Sequence, residues 1–121
     1  MKWKKGNRWR SSGGELRYRK WRKMVCEMNK RRIGLSSHYV CVKCRKKWKT
    51  TRALHAHHIY SWKKFPSKRY TMKNGVLLCK RCHYAFHNKY KFDAVENPTL
   101  ISEWLGNSKN KQVKEYLNEN K

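Results

Sequence analysis

Acidic side chains are scarce in this sequence. Only 7 of the 121 residues are Asp or Glu, and none of them lies between Met28 and Phe92. A surface on which both signs of charge alternate is therefore excluded for most of the chain. The same shortage argues against a carboxylate cluster that holds two catalytic metal ions, and it favours chemistry with one ion.

Long apolar runs are also missing. No stretch approaches the length of a transmembrane helix, and the charged N-terminus lacks the apolar run of a signal peptide. We therefore expect a cytoplasmic protein without a membrane partner. In a reducing cytosol, the five cysteines are expected to bind metal rather than to form disulfides.

Basic residues are abundant and unevenly distributed. The formal net charge is +25, and residues 1–91 hold 28 of the 32 Lys and Arg against two acidic residues. Such a chain attracts polyanions, and nucleic acid is the expected partner. A membrane surface is the alternative, but it would require a basic amphipathic helix with lipid-facing aromatics. The cations expected to contact the nucleic acid are Lys4, Lys5, Arg8, Arg10, Arg17, Lys20, Lys63, Lys64, Lys68 and Arg69.

The chain divides by composition into three segments. Residues 1–14 predict a basic flexible arm, residues 15–92 a globular domain, and residues 93–121 a helical extension. We expect a monomer.

The first predicted helix begins near residues 12–15 and ends near Lys30. Its residues Trp21, Met24, Val25 and Met28 follow the spacing of one buried stripe. Cys26 belongs to no cysteine pair and is interpreted as a small buried hydrophobe. Further along, we predict an extended segment at 51–60, an irregular basic loop at 61–73, a strand at 75–78, and helices at 80–90, 97–105 and 109–119.

Four of the cysteines form two C-x-x-C pairs, Cys41 with Cys44 and Cys79 with Cys82, separated by 34 residues. A pair spaced in this way turns both sulfurs towards one ion, and two pairs complete a closed tetrahedral zinc site. A structural zinc ion is therefore expected, and it would stabilise a chain too short to bury a large core.

The interval between the pairs is rich in histidine. His55, His57 and His58 lie in the extended segment, and His83 and His87 follow the second pair. Histidines four residues apart lie on one face of a helix, so the last two can bind one metal ion.

The motif from Leu54 to His87, with H-A-H-H-I followed by N-G-V-L-L-C-x-x-C-H-x-x-x-H, resembles the HNH (ββα-metal) endonucleases. The resemblance covers about residues 18–90, and the tail resembles small phage-borne and homing members more loosely. It implies a small α+β fold, with a zinc-stapled ββα-metal core, an N-terminal basic helix and C-terminal helices. If the chain is phage-encoded, it would act in the cytoplasm of an infected bacterium.

The resemblance also implies roles for individual residues. His58 corresponds to the general base, and Asn74 to the asparagine that orients the loop of that base. His57, His83 and His87 correspond to the ligands of a divalent catalytic ion, which we expect to be Mg, Mn, Ni or Zn. Asn74-Gly75 is also a common sequence for a type I′ hairpin turn, and both interpretations can hold together.

One geometric difficulty follows from the strand. Neighbouring side chains of a regular strand point to opposite faces, so His57 and His58 serve one centre only if the strand ends or bulges there. If the strand stays regular, His55 replaces one of them. Otherwise His55 is expected to contact a phosphate of the nucleic acid or to lie on the surface.

The hypothesis that the resemblance implies is a metal-dependent endonuclease that acts on double-stranded DNA with a single ion and a histidine base. Two alternatives stay open: a zinc-knuckle DNA-binding protein without catalysis, and a protein that binds or cleaves RNA. The first of these gives no role to the five residues His57, His58, Asn74, His83 and His87.

Overall fold

The computed structural model of the protein describes residues 14–121. It is a small α+β structure, as predicted, and it contains two antiparallel sheets, of which the three-stranded one was not predicted. Its elements, in chain order, are helix α1 (Gly14–Met28), strands β1 (Lys30–Ile33), β2 (Ser36–Val40), β3 (Lys47–Trp48), β4 (Leu54–His58) and β5 (Gly75–Cys79), and helices α2 (Lys80–Tyr90), α3 (Asp93–Glu96), α4 (Leu100–Leu105) and α5 (Lys111–Glu119).

The central unit is the β4–β5 hairpin followed at once by α2. The strands pair without a bulge from Leu54 opposite Cys79 to His58 opposite Gly75. All residues of β5 are buried, as its continuous apolar run predicts. The loop between the strands contains two short 3-10 turns, at Pro66–Lys68 and Met72–Asn74.

Helix α1 packs against this hairpin through Trp21 and Val25, both of which are fully buried. The close approach requires a glycine in the strand, because a Cβ atom on Gly75 would lie 2.2 Å from Val25 Cγ2 and 2.9 Å from Trp21 Cζ2. Cys26 is buried, as predicted. The prediction for Met24 is wrong, since its side chain is 40% exposed. The buried face of α1 includes Cys26, whereas Met24 lies towards solvent.

The first cysteine pair lies between β2 and β3 of the three-stranded sheet, whose order is β1-β2-β3. A backbone hydrogen bond from Val42 N to Leu77 O, 2.9 Å long, ties this turn to β5. The turn that carries Cys41 and Cys44 is therefore held against strand β5 of the second sheet.

The C-terminal helices complete the same hydrophobic core. Ala94, Ile101, Leu105, Val113 and Tyr116 are buried in one cluster with the residues of the hairpin. Helix α5 confirms the helix predicted at 109–119, whereas α3 was not predicted. Within residues 14–121, no helix combines the length and the apolar character that a membrane crossing requires.

The close packing at Gly75 makes a testable prediction. Gly75→Ala should destabilise the fold by about 1–3 kcal/mol or more, because the added methyl group forces α1 away from β5. Val25→Ala removes two of the three atoms nearest to the methyl group, Cγ1 and Cγ2 of Val25, and leaves only Cζ2 of Trp21. The loss in the double variant, measured by urea denaturation, should therefore be smaller than the sum of the two single losses. Additive losses would contradict this packing account.

Candidate active site and metal centres

The structure brings the four paired cysteines together. The sulfur atoms of Cys41, Cys44, Cys79 and Cys82 all lie within 4.8 Å of one another. The sulfurs of Cys44 and Cys79 are 3.8 Å apart. Tetrahedral zinc with Zn–S bonds of about 2.3 Å requires a separation of about 3.8 Å, so the cluster fits this ion. Burial raises the pKa of the Cys41 thiol, so binding of zinc there would displace a proton.

The backbone of the first cysteine turn is shaped for this convergence. Arg45, directly after Cys44, has a positive φ of 65°, a conformation that costs a non-glycine residue free energy. Its N–H donates to Cys41 O at 2.9 Å, and Cys41 N–H donates to Lys46 O at 3.1 Å. These two hydrogen bonds close the turn that carries the sulfurs of Cys41 and Cys44.

A second cluster consists of imidazoles. One nitrogen from each of His57, His83 and His87 lies within 4.8 Å of the others. The Nε2 atoms of His83 and His87 are 3.0 Å apart. Helix α2 supplies these two rings from successive turns of one face, and β4 supplies His57 from the face that it shares with His55. Three neutral nitrogens leave room for further ligands around one divalent ion.

The surroundings keep these imidazoles uncharged. Burial lowers the pKa of His57 well below its usual range, and the neighbouring His83 and His87 lower it further. Burial likewise lowers the pKa of His83 to about 4. Metal binding requires neutral imidazole, so the rings are in the state that accepts an ion at neutral pH.

His58 lies on the other face of the strand. Its ring stacks on Trp21, with centroids 3.9 Å apart and planes 12° apart, and Nε2 lies 2.9 Å from Arg69 O. A carbonyl oxygen only accepts, so Nε2 carries the proton and Nδ1 keeps a lone pair. Burial lowers the pKa of His58 to about 4. The strand stays regular through His58 and ends there, so His57 and His58 do not share one face.

Asn74 links the two ends of the loop that supplies this carbonyl. Its buried side chain accepts from Tyr60 N at 2.8 Å and donates to Tyr60 O and Lys68 O at 3.0 Å each. The last of these acceptors directly precedes Arg69. The type I′ turn is wrong for this position, because Asn74 ends a 3-10 turn and Gly75 is extended with a φ of −120°.

His55 and Trp21 gain contacts that the sequence did not predict. His55 shares a face with His57, and its Nδ1 lies 2.7 Å from Nδ1 of His83. The alternation of the strand indicated this face in advance. Trp21 was assigned to the core alone, and no local pattern reveals that it stacks on a histidine 37 positions further along the chain.

The cations expected to bind DNA fall into three groups. Lys4, Lys5, Arg8 and Arg10 lie outside the described residues. Arg17, Lys20 and Lys63 are exposed, and Lys64 is exposed but forms an ion pair with Glu96. Lys68 and Arg69 are partly buried over the rings of Tyr60 and Trp62.

Residues 41–89 match the family model of the HNH endonucleases. The matched segment contains both cysteine pairs, the three clustered histidines, His58 and Asn74. Comparison with curated proteins and with solved structures gives no match. This match over residues 41–89 indicates a nuclease of the HNH type, hence a hydrolase.

The cysteine cluster predicts one tightly bound zinc ion per chain. Cys79→Ser should lose this ion and lower the melting temperature, because the site connects the first cysteine turn to the start of α2. Elemental analysis and thermal denaturation measure the two effects. Cys26→Ala is the matched control, because Cys26 is the one cysteine outside both pairs, and it should keep the full zinc content. Retention of zinc and stability in Cys79→Ser would contradict a structural site.

Proposed function

We propose that this protein is a divalent-metal-dependent DNA endonuclease that hydrolyses phosphodiester bonds with a single ion and a histidine base. The observation that carries the proposal is the convergence of His57, His83 and His87 beside strand β4, whose last residue is His58. The looser resemblance of the tail supports a phage-borne or homing enzyme in the cytoplasm of a bacterial host.

The three clustered histidines would hold the catalytic ion, with Mg, Mn, Ni or Zn as the expected metals. When bound, the ion supplies Lewis-acid stabilisation of the scissile phosphate and of the leaving 3′ oxygen. All three ligands are neutral, and no acidic residue lies between Met28 and Phe92. The site therefore keeps its positive charge, which favours binding of a phosphodiester.

His58 would act as the general base. Its proton sits on Nε2, where Arg69 O accepts it, so Nδ1 can take a proton from the attacking water. Trp21 fixes the plane of the ring from the other side. His58 is the last residue of β4, so we place the phosphodiester across the end of this strand, where groups from both faces can reach it.

Asn74 would act as a positioning residue for this base. It holds Lys68 O with a hydrogen bond of 3.0 Å and thereby fixes the backbone beside Arg69. The carbonyl oxygen of Arg69 then selects the tautomer of His58. In this proposal, His58 is the base, the carbonyl oxygen of Arg69 orients its ring, and Asn74 fixes the loop that carries this carbonyl.

The catalytic role of His58 is tested by His58→Ala. This variant should lose about 10²–10⁴-fold in the rate of plasmid cleavage at saturating metal, because it lacks the proton acceptor. Its zinc content and DNA affinity should be unchanged. His38→Ala, which changes a histidine outside both clusters, should cleave like wild type. Wild-type cleavage by His58→Ala would show that His58 is not the general base, whereas a wild-type protein that cleaves no DNA at saturating metal would favour the non-catalytic zinc protein.

DNA affinity should fall steeply with salt, because Lys and Arg displace counterions and each phosphate contact adds about −0.9 to the logarithmic slope. Residues 1–13 carry five cations. Their replacement by Gln should reduce the slope by up to about 4.5 and weaken binding to all sequences alike. A scrambled arm with the same five cations is the control and should behave as wild type. A salt slope near zero for the wild-type protein contradicts this account.

A further inference from the structure

His55 lies beside the histidine cluster without belonging to it. It occupies the same face of β4 as His57, since the two residues pair with Leu78 and Val76 in a regular register. Its Nδ1 is 2.7 Å from Nδ1 of His83, and the two rings are perpendicular. Among the histidines of residues 14–121, those with ligand atoms mutually within 4.8 Å are His57, His83 and His87.

His83 uses its two nitrogens in different directions. Nε2 faces Nε2 of His87 at 3.0 Å, whereas Nδ1 faces His55 at 2.7 Å. An imidazole that binds a metal through one nitrogen carries its proton on the other, and it donates that proton to a partner. With Nε2 at the ion, Nδ1–H of His83 donates to Nδ1 of His55.

The partner of a metal-bound histidine is usually a carboxylate, a backbone carbonyl or a water molecule. The sequence contains no acidic residue between Glu27 and Asp93, the range that includes both His55 and His83, and the partner that the structure gives His83 is an imidazole. A neutral imidazole can serve instead, provided that Nδ1 of His55 holds a lone pair and its proton lies on Nε2.

We propose that His55 is a positioning residue that accepts a hydrogen bond from His83 and so fixes the tautomer and ring orientation of this metal ligand. The proposal rests on the function proposed above. It adds a hydrogen-bond partner for one of the metal ligands, and this partner brings no negative charge to the metal site. An ion held by three neutral imidazoles and a neutral partner retains its full charge for the phosphate.

The experiment measures metal binding without DNA. Protein that holds its one zinc ion at the cysteine cluster is titrated with Co²⁺, which is expected to bind at the histidine cluster. Calorimetry gives the affinity for Co²⁺, and the absorption spectrum reports its coordination. His55→Ala should bind Co²⁺ about 10–100-fold more weakly than wild type, with the same spectrum at saturation. His55→Gln should recover most of the affinity, because its side-chain oxygen also accepts a hydrogen bond. His38→Ala should bind like wild type.

Three results would overturn the inference. An unchanged affinity in His55→Ala would show that the contact with His83 does not support metal binding. A changed spectrum at saturation would make His55 a direct ligand. A wild-type protein that binds no Co²⁺ at the histidines would overturn this inference and the single-ion mechanism together. Since the titration involves no cleavage, a failure of His58 as the base leaves its result intact.

Discussion

The antiparallel pairing of β4 with β5 is the interaction on which the other features depend. Its regular register places His57 and His55 on one face and His58 on the other. The same pairing ends at Cys79, which belongs to the cysteine cluster and directly precedes α2. One hairpin therefore aligns the zinc site, the imidazole cluster and the proposed base. A shift of one residue would exchange the faces of all these side chains.

A helix packs against each face of this hairpin, and each of the two helices contributes residues to the candidate site. Helix α2 brings His83 and His87 to His57. Helix α1 brings Trp21 to His58, and it lies outside the segment that matches the HNH family. The absence of a side chain on Gly75 allows this second contact. The N-terminal helix is thus part of the candidate active site as well as part of the core.

Features set by local spacing could be predicted from the sequence. The two cysteine pairs, the strand at Gly75 and the helix at Lys80–Tyr90 follow from patterns within a few residues of each other. Features that depend on distant packing could not. The exposure of Met24 reflects how α1 meets β5, and the extended backbone of Gly75 reflects its pairing with His58. The position of His55 depended on whether β4 stays regular, which only its pairing with β5 decides.

The central claim is that one divalent ion at the histidine cluster acts on the DNA backbone. Crystals of the protein with DNA and Mn²⁺, measured for anomalous scattering, test this claim most directly. We expect a single manganese peak beside His57, His83 and His87, in contact with one phosphodiester that also lies within reach of Nδ1 of His58. Two manganese peaks at the phosphate, or DNA bound away from an empty histidine cluster, would contradict the account.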